Sequence, residues 1–218
     1  MRPGATICGG ACRRVAVRVR GRGGRAYRRG MTAPAASSSS PARERAASDV
    51  LDRLSVGADT FKAVFRGHPG GVAVITAQGA DGPVALTASS VSSVSVDPPL
   101  LVFSVSALSS AAETLTSAAT VVVHLLDADD IELARLGATS GIDRFADTNA
   151  WAPLATGEPV FAGARAWVRC AVVSRMEAGG STVIAAHGLQ AHIARDAERA
   201  LVYHDRTWHA LGAHSLLP

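Results

Sequence analysis

Beyond residue 71 the chain is cut into short apolar, β-branched runs, each bounded by Gly, Pro, Asp or Ser, and this punctuation limits the fold more than any other feature. The runs occupy residues 72–76, 84–87, 100–105, 121–126, 166–173, 182–193 and 201–211. β-Branched side chains lose rotamer freedom in a helix and pack well on a pleated surface, so runs of this length predict strands. Several strands at short spacing predict an all-β barrel or sandwich. Four stretches carry helical signals instead. Residues 49–54 and 60–65 repeat apolar positions at helical spacing (Val50, Leu51, Leu54; Phe61, Val64, Phe65) and stop at Gly67-His68-Pro69-Gly70-Gly71. Residues 109–118 offer Ser109 or Ser110 as cap, with Glu113 in the first turn. Residues 127–138 open on Asp127 with Asp130 three positions on, which suits the helix dipole. The expected architecture is mainly β, with a few short helices inserted.

Alternation near residue 170 sets Cys170 with Ala166, Val168 and Val172 on an apolar face, opposite Arg165, Trp167, Arg169 and Ala171. That position predicts a core thiol rather than a nucleophile. Residues 1–47 have a different character, Arg/Gly-rich and then Ser/Ala/Pro-rich. They hold too few large apolar side chains to offset the entropy of ordering, so a disordered extension is expected there and a folded domain over residues 48–218. Residues 1–30 carry nine of the 22 basic residues and no acid, which leaves residues 31–218 with 13 basic and 18 acidic residues, a net charge of −5. An acidic body disfavours nucleic acid as partner. The Arg20–Arg25 stretch reads either as a small Arg/Gly arm or as a segment upstream of a start at Met31. No apolar stretch approaches the ~20 residues of a membrane helix. Three cysteines, two of them (Cys8 and Cys12) in the extension, make no disulfide framework, so the expected location is cytoplasmic.

Templates for acid–base, nucleophilic and metal chemistry are unfilled. None of the seven histidines belongs to HExxH, and His204, His209 and His214 recur at a five-residue spacing that suits neither a helix face nor a strand face, so no metal site is expected. GxSxG, the phosphate-binding P-loop and a GxGxxG after a strand are missing too. The unusual segment is residues 87–99, Thr-Ala-Ser-Ser-Val-Ser-Ser-Val-Ser-Val-Asp-Pro-Pro. Small side chains let a ligand reach main-chain N–H and C=O groups, which can grip the polar rim of a flat heteroaromatic ring while valines form an apolar wall. A plain strand and loop with solvated hydroxyls has the same composition. Ser106, Ser109 and Ser110 at a helix start suit either a phosphate or simple capping.

The order of these pieces resembles the short-chain flavin reductase family. The resemblance runs over about residues 55–212, through Gly70-Gly71-Val72-Ala73-Val74-Ile75-Thr76, the Thr87–Leu100 string, Val123-His124-Leu125-Leu126, Asp143-Arg144-Phe145, Trp151, Gly157-Glu158-Pro159-Val160 and Leu201–Arg206. It implies a flavin-binding split β-barrel, a homodimer, and an NAD(P)H:flavin oxidoreductase that passes hydride from NADH or NADPH to FMN or FAD and supplies a partner monooxygenase. It further implies cofactor contacts from Thr87, Ala88, Ser89, Ser90 and Val91 to the ring, and from Ser104, Val105, Ser106, Ser109 and Ser110 along the ribityl and phosphate path. No catalytic side chain is implied, because ring stacking and water exclusion carry hydride transfer. The family's Gly-Asp-His-Thr turn reads Gly179-Gly180-Ser181-Thr182 here. Its histidine is replaced, leaving Ser181, His187, His204 and Arg206 as nicotinamide-site candidates and a non-catalytic flavin- or haem-binding protein as the alternative. His124 stands where many relatives have Asn and reads as a hydrogen-bonded strand residue. Trp151, Phe145 and Trp208 are the aromatics available to cover the ring.

Overall fold

A computed structural model describes residues 53–218. The expected extension over 1–47 and the start of the 49–54 helix lie outside the described residues. The elements run α1 (Ala58–Arg66), β1 (Gly70–Gly71), β2 (Ala73–Gly79), β3 (Gly82–Ala88), β4 (Ser92–Val96), β5 (Pro99–Ser106), α2 (Ala112–Ser117), β6 (Thr120–Leu125), a 3-10 turn (Ala128–Asp130), α3 (Ile131–Ala138), β7 (Ala152–Pro153), β8 (Pro159–Val160), β9 (Ala166–Ala178), β10 (Ser181–Ile193), β11 (Leu201–His204) and β12 (Thr207–Ala210). The fold is mainly β. Seven strands form one antiparallel sheet in the order β3-β2-β6-β9-β10-β5-β4, while β1, β11 and β12 make a second small sheet.

Curling of the large sheet follows from where its inner side chains go. Ala88 of β3 and Phe103 of β5 sit near opposite ends of the strand order, yet both join Ile75, Val123, Cys170 and Ile184 in one buried cluster. A flat sheet could not bring them together. The long β9–β10 hairpin turns through Gly179-Gly180, with Gly179 at φ 61°, a conformation open to glycine at no steric cost. On the other side of β2 and β3, Val74 and Ala85 pack with Ala134 of α3, Phe145, Phe161 and Leu201. Asp127 caps this helix through the 3-10 turn, its carboxylate accepting from Asp129 N–H while Asp127 N–H donates to Asp130.

The structure departs from sequence expectation in four places. Residues 201–211 form two strands broken at Asp205 and Arg206, both with positive φ (45° and 62°), a turn chemistry that Asp-Arg does not advertise. Residues 92–96, inside the hydroxyl-rich segment, are a strand. Helix α2 starts at Ala112 rather than Ser109, because 109–111 form a turn in which Ala112 N–H donates to Ser109 C=O. Trp167, expected on the polar face of β9, is buried against Val122 and Val160.

Candidate functional site

The hydroxyl-rich segment is gripped at two points where only glycine fits. Thr87 donates its hydroxyl to Ala134 C=O at 2.7 Å, tying the end of β3 to α3. A Cβ on Gly137 would lie 2.3 Å from Thr87 Oγ1 and 3.1 Å from its main-chain N. On the far side, a Cβ on Gly70 would meet Ser89 C=O at 2.8 Å. From the second clamp onward, residues 89–91 leave the strand ladder before β4 begins, so their N–H groups do not serve the sheet. Ser89 and Ser90 are exposed and Val91 is half-buried. Ser90 is also tied to β5: Ser104 N–H donates to Ser90 Oγ at 3.0 Å, and that hydroxyl faces Ser104 C=O at 3.4 Å.

Two cavities meet this segment. One of about 770 Å³ has Ser89–Ser92 on one side and Phe61, Lys62, Phe65 and Arg66 of α1 on the other, with Tyr203 and Arg206 beside them. The second, about 210 Å³, is lined by Thr87, Ala88, Ser89, Tyr203 and Trp208. They share Ser89 and Tyr203. Trp208 packs on Tyr203 with ring centroids 4.8 Å apart. Phe145 and Trp151 instead belong to the packing over β2 and β3, with Phe145 stacked on Phe161 at 5.3 Å and Trp151 Nε1 donating to Phe145 C=O.

The remaining sequence candidates are spread out. Ala88 and Val105 point their side chains into the core and offer only main chain. Ser106 and Ser109 accept local N–H bonds from Leu108 and Ala111, as capping serines do. Ser110 borders a third cavity of about 100 Å³ with Arg144. Arg144 donates to Thr139 C=O at 2.7 Å, but its buried Nε has no hydrogen-bond partner among the described residues. Ring and phosphate expectations therefore fall in different cavities, both bordered by β3. Ser181 lies opposite Ser106 in the β10–β5 register, His187 lies opposite Leu100 at the far end of that pairing, and His204 packs on His209. Of the four nicotinamide candidates, only Arg206 borders the cavity of Ser89–Ser92.

Buried polar groups elsewhere are structural. His124 is fully buried, and its Nε2 accepts from Phe161 N–H, so Nδ1 must carry the proton donated to Val74 C=O. Both nitrogens are used by the neutral ring, and burial lowers its pKa to about 4. Burial pushes the Cys170 thiol up to about 12, fitting a core residue. Burial pushes the Asp127 carboxyl up, but hydrogen bonds and charge from Arg195 outweigh it and hold the group below the usual range. Glu158 behaves alike: burial raises it, and bonds from Thr120, Thr156 and Arg169 bring it lower. No cluster of three or more metal-ligating side chains occurs among the described residues.

Sequence reasoning missed the α1 side of the large cavity. The signal was present as two adjacent i, i+4 rows, Phe61/Phe65 and Lys62/Arg66, which share a helix surface.

Residues 65–212 match the domain family described as "Flavin reductase like domain". The NADH:FMN oxidoreductase of Rhodococcus qingshengii is 40% identical over 157 residues, covering 70% of this chain and 82% of that protein. Among solved structures, the flavin reductase component of a bacterial two-component tryptophan halogenase superposes with a TM-score of 0.63 at 32% identity, covering 72% of this chain and 99% of that one. The NADH:FAD oxidoreductase of Streptomyces globisporus, solved with NAD and FAD fragments, superposes with a TM-score of 0.64 at 29% identity, covering 76% and 96%.

Proposed function

This chain belongs to the flavin reductase like domain family, and from that premise we propose that it is an NADH-dependent flavin oxidoreductase, with FMN or FAD as hydride acceptor. The observation that carries the reading is the segment 89–91, which leaves the ladder where glycine contacts fix Thr87 and Ser89, on the wall of a cavity large enough for a cofactor. The residues fit a flavin: unladdered N–H groups suit its polar rim, and the orphaned Arg144 Nε beside Ser110 suits a phosphate. Bound there, flavin supplies a two-electron acceptor for the nicotinamide hydride. Ser89, Ser90 and Val91 hold the ring by main chain, with Thr87 fixing their position through α3 and Ala88 contributing backbone alone. Ser104, through Ser90, keeps the segment in register with β5. Ser110 borders the Arg144 cavity, and Ser106 and Ser109 shape the turn that leads to it while Val105 stays in the core. Trp208, packed on Tyr203, walls the smaller cavity beside the segment. Of the four nicotinamide candidates Arg206 alone borders the segment's cavity and is placed for a nicotinamide nucleotide; Ser181, His187 and His204 lie elsewhere in one subunit.

In this reading the reduced flavin leaves for an oxygenase partner, the arrangement named for the halogenase component. A homodimer accounts for apolar side chains that no described residue covers: Val94 and Val96 on β4, Val173 and Met176 near the turn of the β9–β10 hairpin, and Leu189 and Ile193 near its other end. No helix among the described residues is long and apolar enough to cross a membrane, and the cysteine usage accords with a cytoplasmic location. The test is anaerobic NADH oxidation with and without added FMN or FAD. Flavin-dependent turnover is expected. Flavin retained through gel filtration without turnover would select a non-catalytic flavin-binding protein instead.

A further inference from the structure

Helix α1 combines features that the flavin segment does not use. It has no buried residue, although Phe61 and Phe65 are more than half exposed at 54% and 55%. Their rings lie 4.7 Å apart in a tilted pair and border the large cavity together with Lys62 and Arg66. An aromatic row and a cationic row thus run side by side along one wall. The helix end is joined to the β11–β12 turn, where Asp205 N–H donates to Arg66 C=O at 3.1 Å and Arg66 Nε lies 3.9 Å from Asp205 Oδ1. That turn holds Asp205 and Arg206 in the left-handed region without glycine, a cost that persists only where surroundings enforce it. Arg206 reaches the same cavity.

Charge sets the cavity apart from the rest of residues 31–218. Residues 31–218 carry a net −5, yet this rim has Lys62, Arg66 and Arg206 against Asp205, with His68 nearby. Lys62 also lies 3.5 Å from Asp59, an exposed pair that water screens. A volume of about 770 Å³ is toward the upper end for small-molecule sites. An anionic ligand with a flat aromatic base matches both rows.

We propose that Phe61, Phe65, Lys62, Arg66 and Arg206 cradle the adenosine diphosphate half of a dinucleotide, the base on the phenylalanines and the phosphates on the cations. The proposal rests on the flavin reductase reading, which places the redox ring at the opposite wall. Both NADH and FAD carry this half; FMN does not.

The experiment has a direct arm and a kinetic one. Calorimetric titration of the full-length chain with ADP is compared with Lys62→Ala, Arg206→Ala and Phe61→Ala variants at fixed salt. Because the nine arginines of residues 1–30 also attract anions, the wild-type minus variant difference is read. Loss of either cation is expected to weaken ADP roughly tenfold, about the worth of one charge-assisted hydrogen bond. Circular dichroism checks that these exposed substitutions leave the fold intact. In steady state, a raised KM for NADH with both flavins assigns the cradle to the donor. A raised KM for FAD, with those for FMN and NADH unchanged, assigns it to the flavin. Equal ADP binding in all proteins, or none in wild type, overturns the cradle. If flavin-dependent NADH oxidation is intact in the same preparations, the function survives that failure; if turnover is missing while ADP still binds, the function alone fails.

Discussion

One sheet, two regions: over the outer face of β2, β3 and β6 the chain lays α3, residues 143–164 and β11, whereas along β4, β9 and β10 Val94, Val173, Met176, Leu189 and Ile193 stay at least half exposed, on both faces and at the ladder's bulges. On the covered face, buried polar groups have fixed partners. Thr76 donates to Pro159 C=O at 2.6 Å, His124 uses both nitrogens, and Arg195 binds Asp127 and Asp130 at 2.9 and 2.5 Å. Along the uncovered strands, large apolar side chains meet water. The difference teaches that the covered face specifies the fold through partnered polar groups, whereas the uncovered strands are where the proposed second copy would dock.

The sharpest way to break this contrast is to remove Arg195. It spans Asp127, Asp130 and Gly163 C=O and so fastens the capped start of α3 to the strands. Arg195→Ala leaves two buried carboxylates unpaired, and truncating one partner of a buried pair costs about 3–5 kcal/mol. About a third of the Arg195 side chain stays exposed, at 35%, so about 3 kcal/mol is expected in denaturant unfolding. A cost near zero would mean the clamp is decorative.

Next in size is an acid effect at His124. Its folded pKa of about 4 lies below the ordinary 6.5, so the unfolded chain takes up the proton first as pH falls. Stability is complete above pH 6.5 and is lost between 6.5 and 4, by on the order of 3 kcal/mol at most. His124→Asn is expected to flatten that window. It should leave the lower-pH loss from Asp127 and Glu158, whose depressed carboxyls stabilise the fold above their unfolded pKa and fail as pH falls through the folded one. Unfolding midpoints of both proteins from pH 7 to 4 provide the check.

Gly137→Ala is third. Helix propensity alone predicts a gain of about 1 kcal/mol. The added Cβ would strike Thr87 at a main-chain nitrogen as well as the hydroxyl, so overpacking at about 1–3 kcal/mol wins, and the flavin KM rises with the displaced segment. Adding Thr87→Ala should return part of the stability. A Gly137→Ala protein more stable than wild type would show that α3 floats on the sheet.

Much of the fold was legible because strands buried on one face must be short, β-branched and punctuated. Six of the expected runs meet strands β2, β3, β5, β6, β9 and β10 within a few residues. The seventh reads as one strand because Asp205-Arg206 lacks the glycine or asparagine that marks a reversal. The site was half legible. Thr87–Val91 stood out by composition, but its supports, Gly70 and Gly137, are glycines whose meaning depends on what lies opposite. Cavity walls made by α1 and the 205–206 turn join residues more than 130 positions apart, a proximity that local periodicity does not encode.

The smallest expected effect on folding, and the most informative about the uncovered strands, comes from charging them. Ile193 and Met176 are 69% and 59% exposed, so Ile193→Asp and Met176→Lys should shift unfolding free energy by no more than about 0.5 kcal/mol in a single subunit. Their weight falls on association instead. A stable interface buries roughly 1,200–2,000 Å² around an apolar centre, and a lone charge placed there stays desolvated and unpaired in the dimer. Sedimentation equilibrium should therefore find wild type as a dimer and the double variant as a monomer, with intrinsic fold unchanged by circular dichroism. Both proteins monomeric would mean that the uncovered strands serve the oxygenase partner rather than a second copy. Both dimeric would place the subunit contact elsewhere.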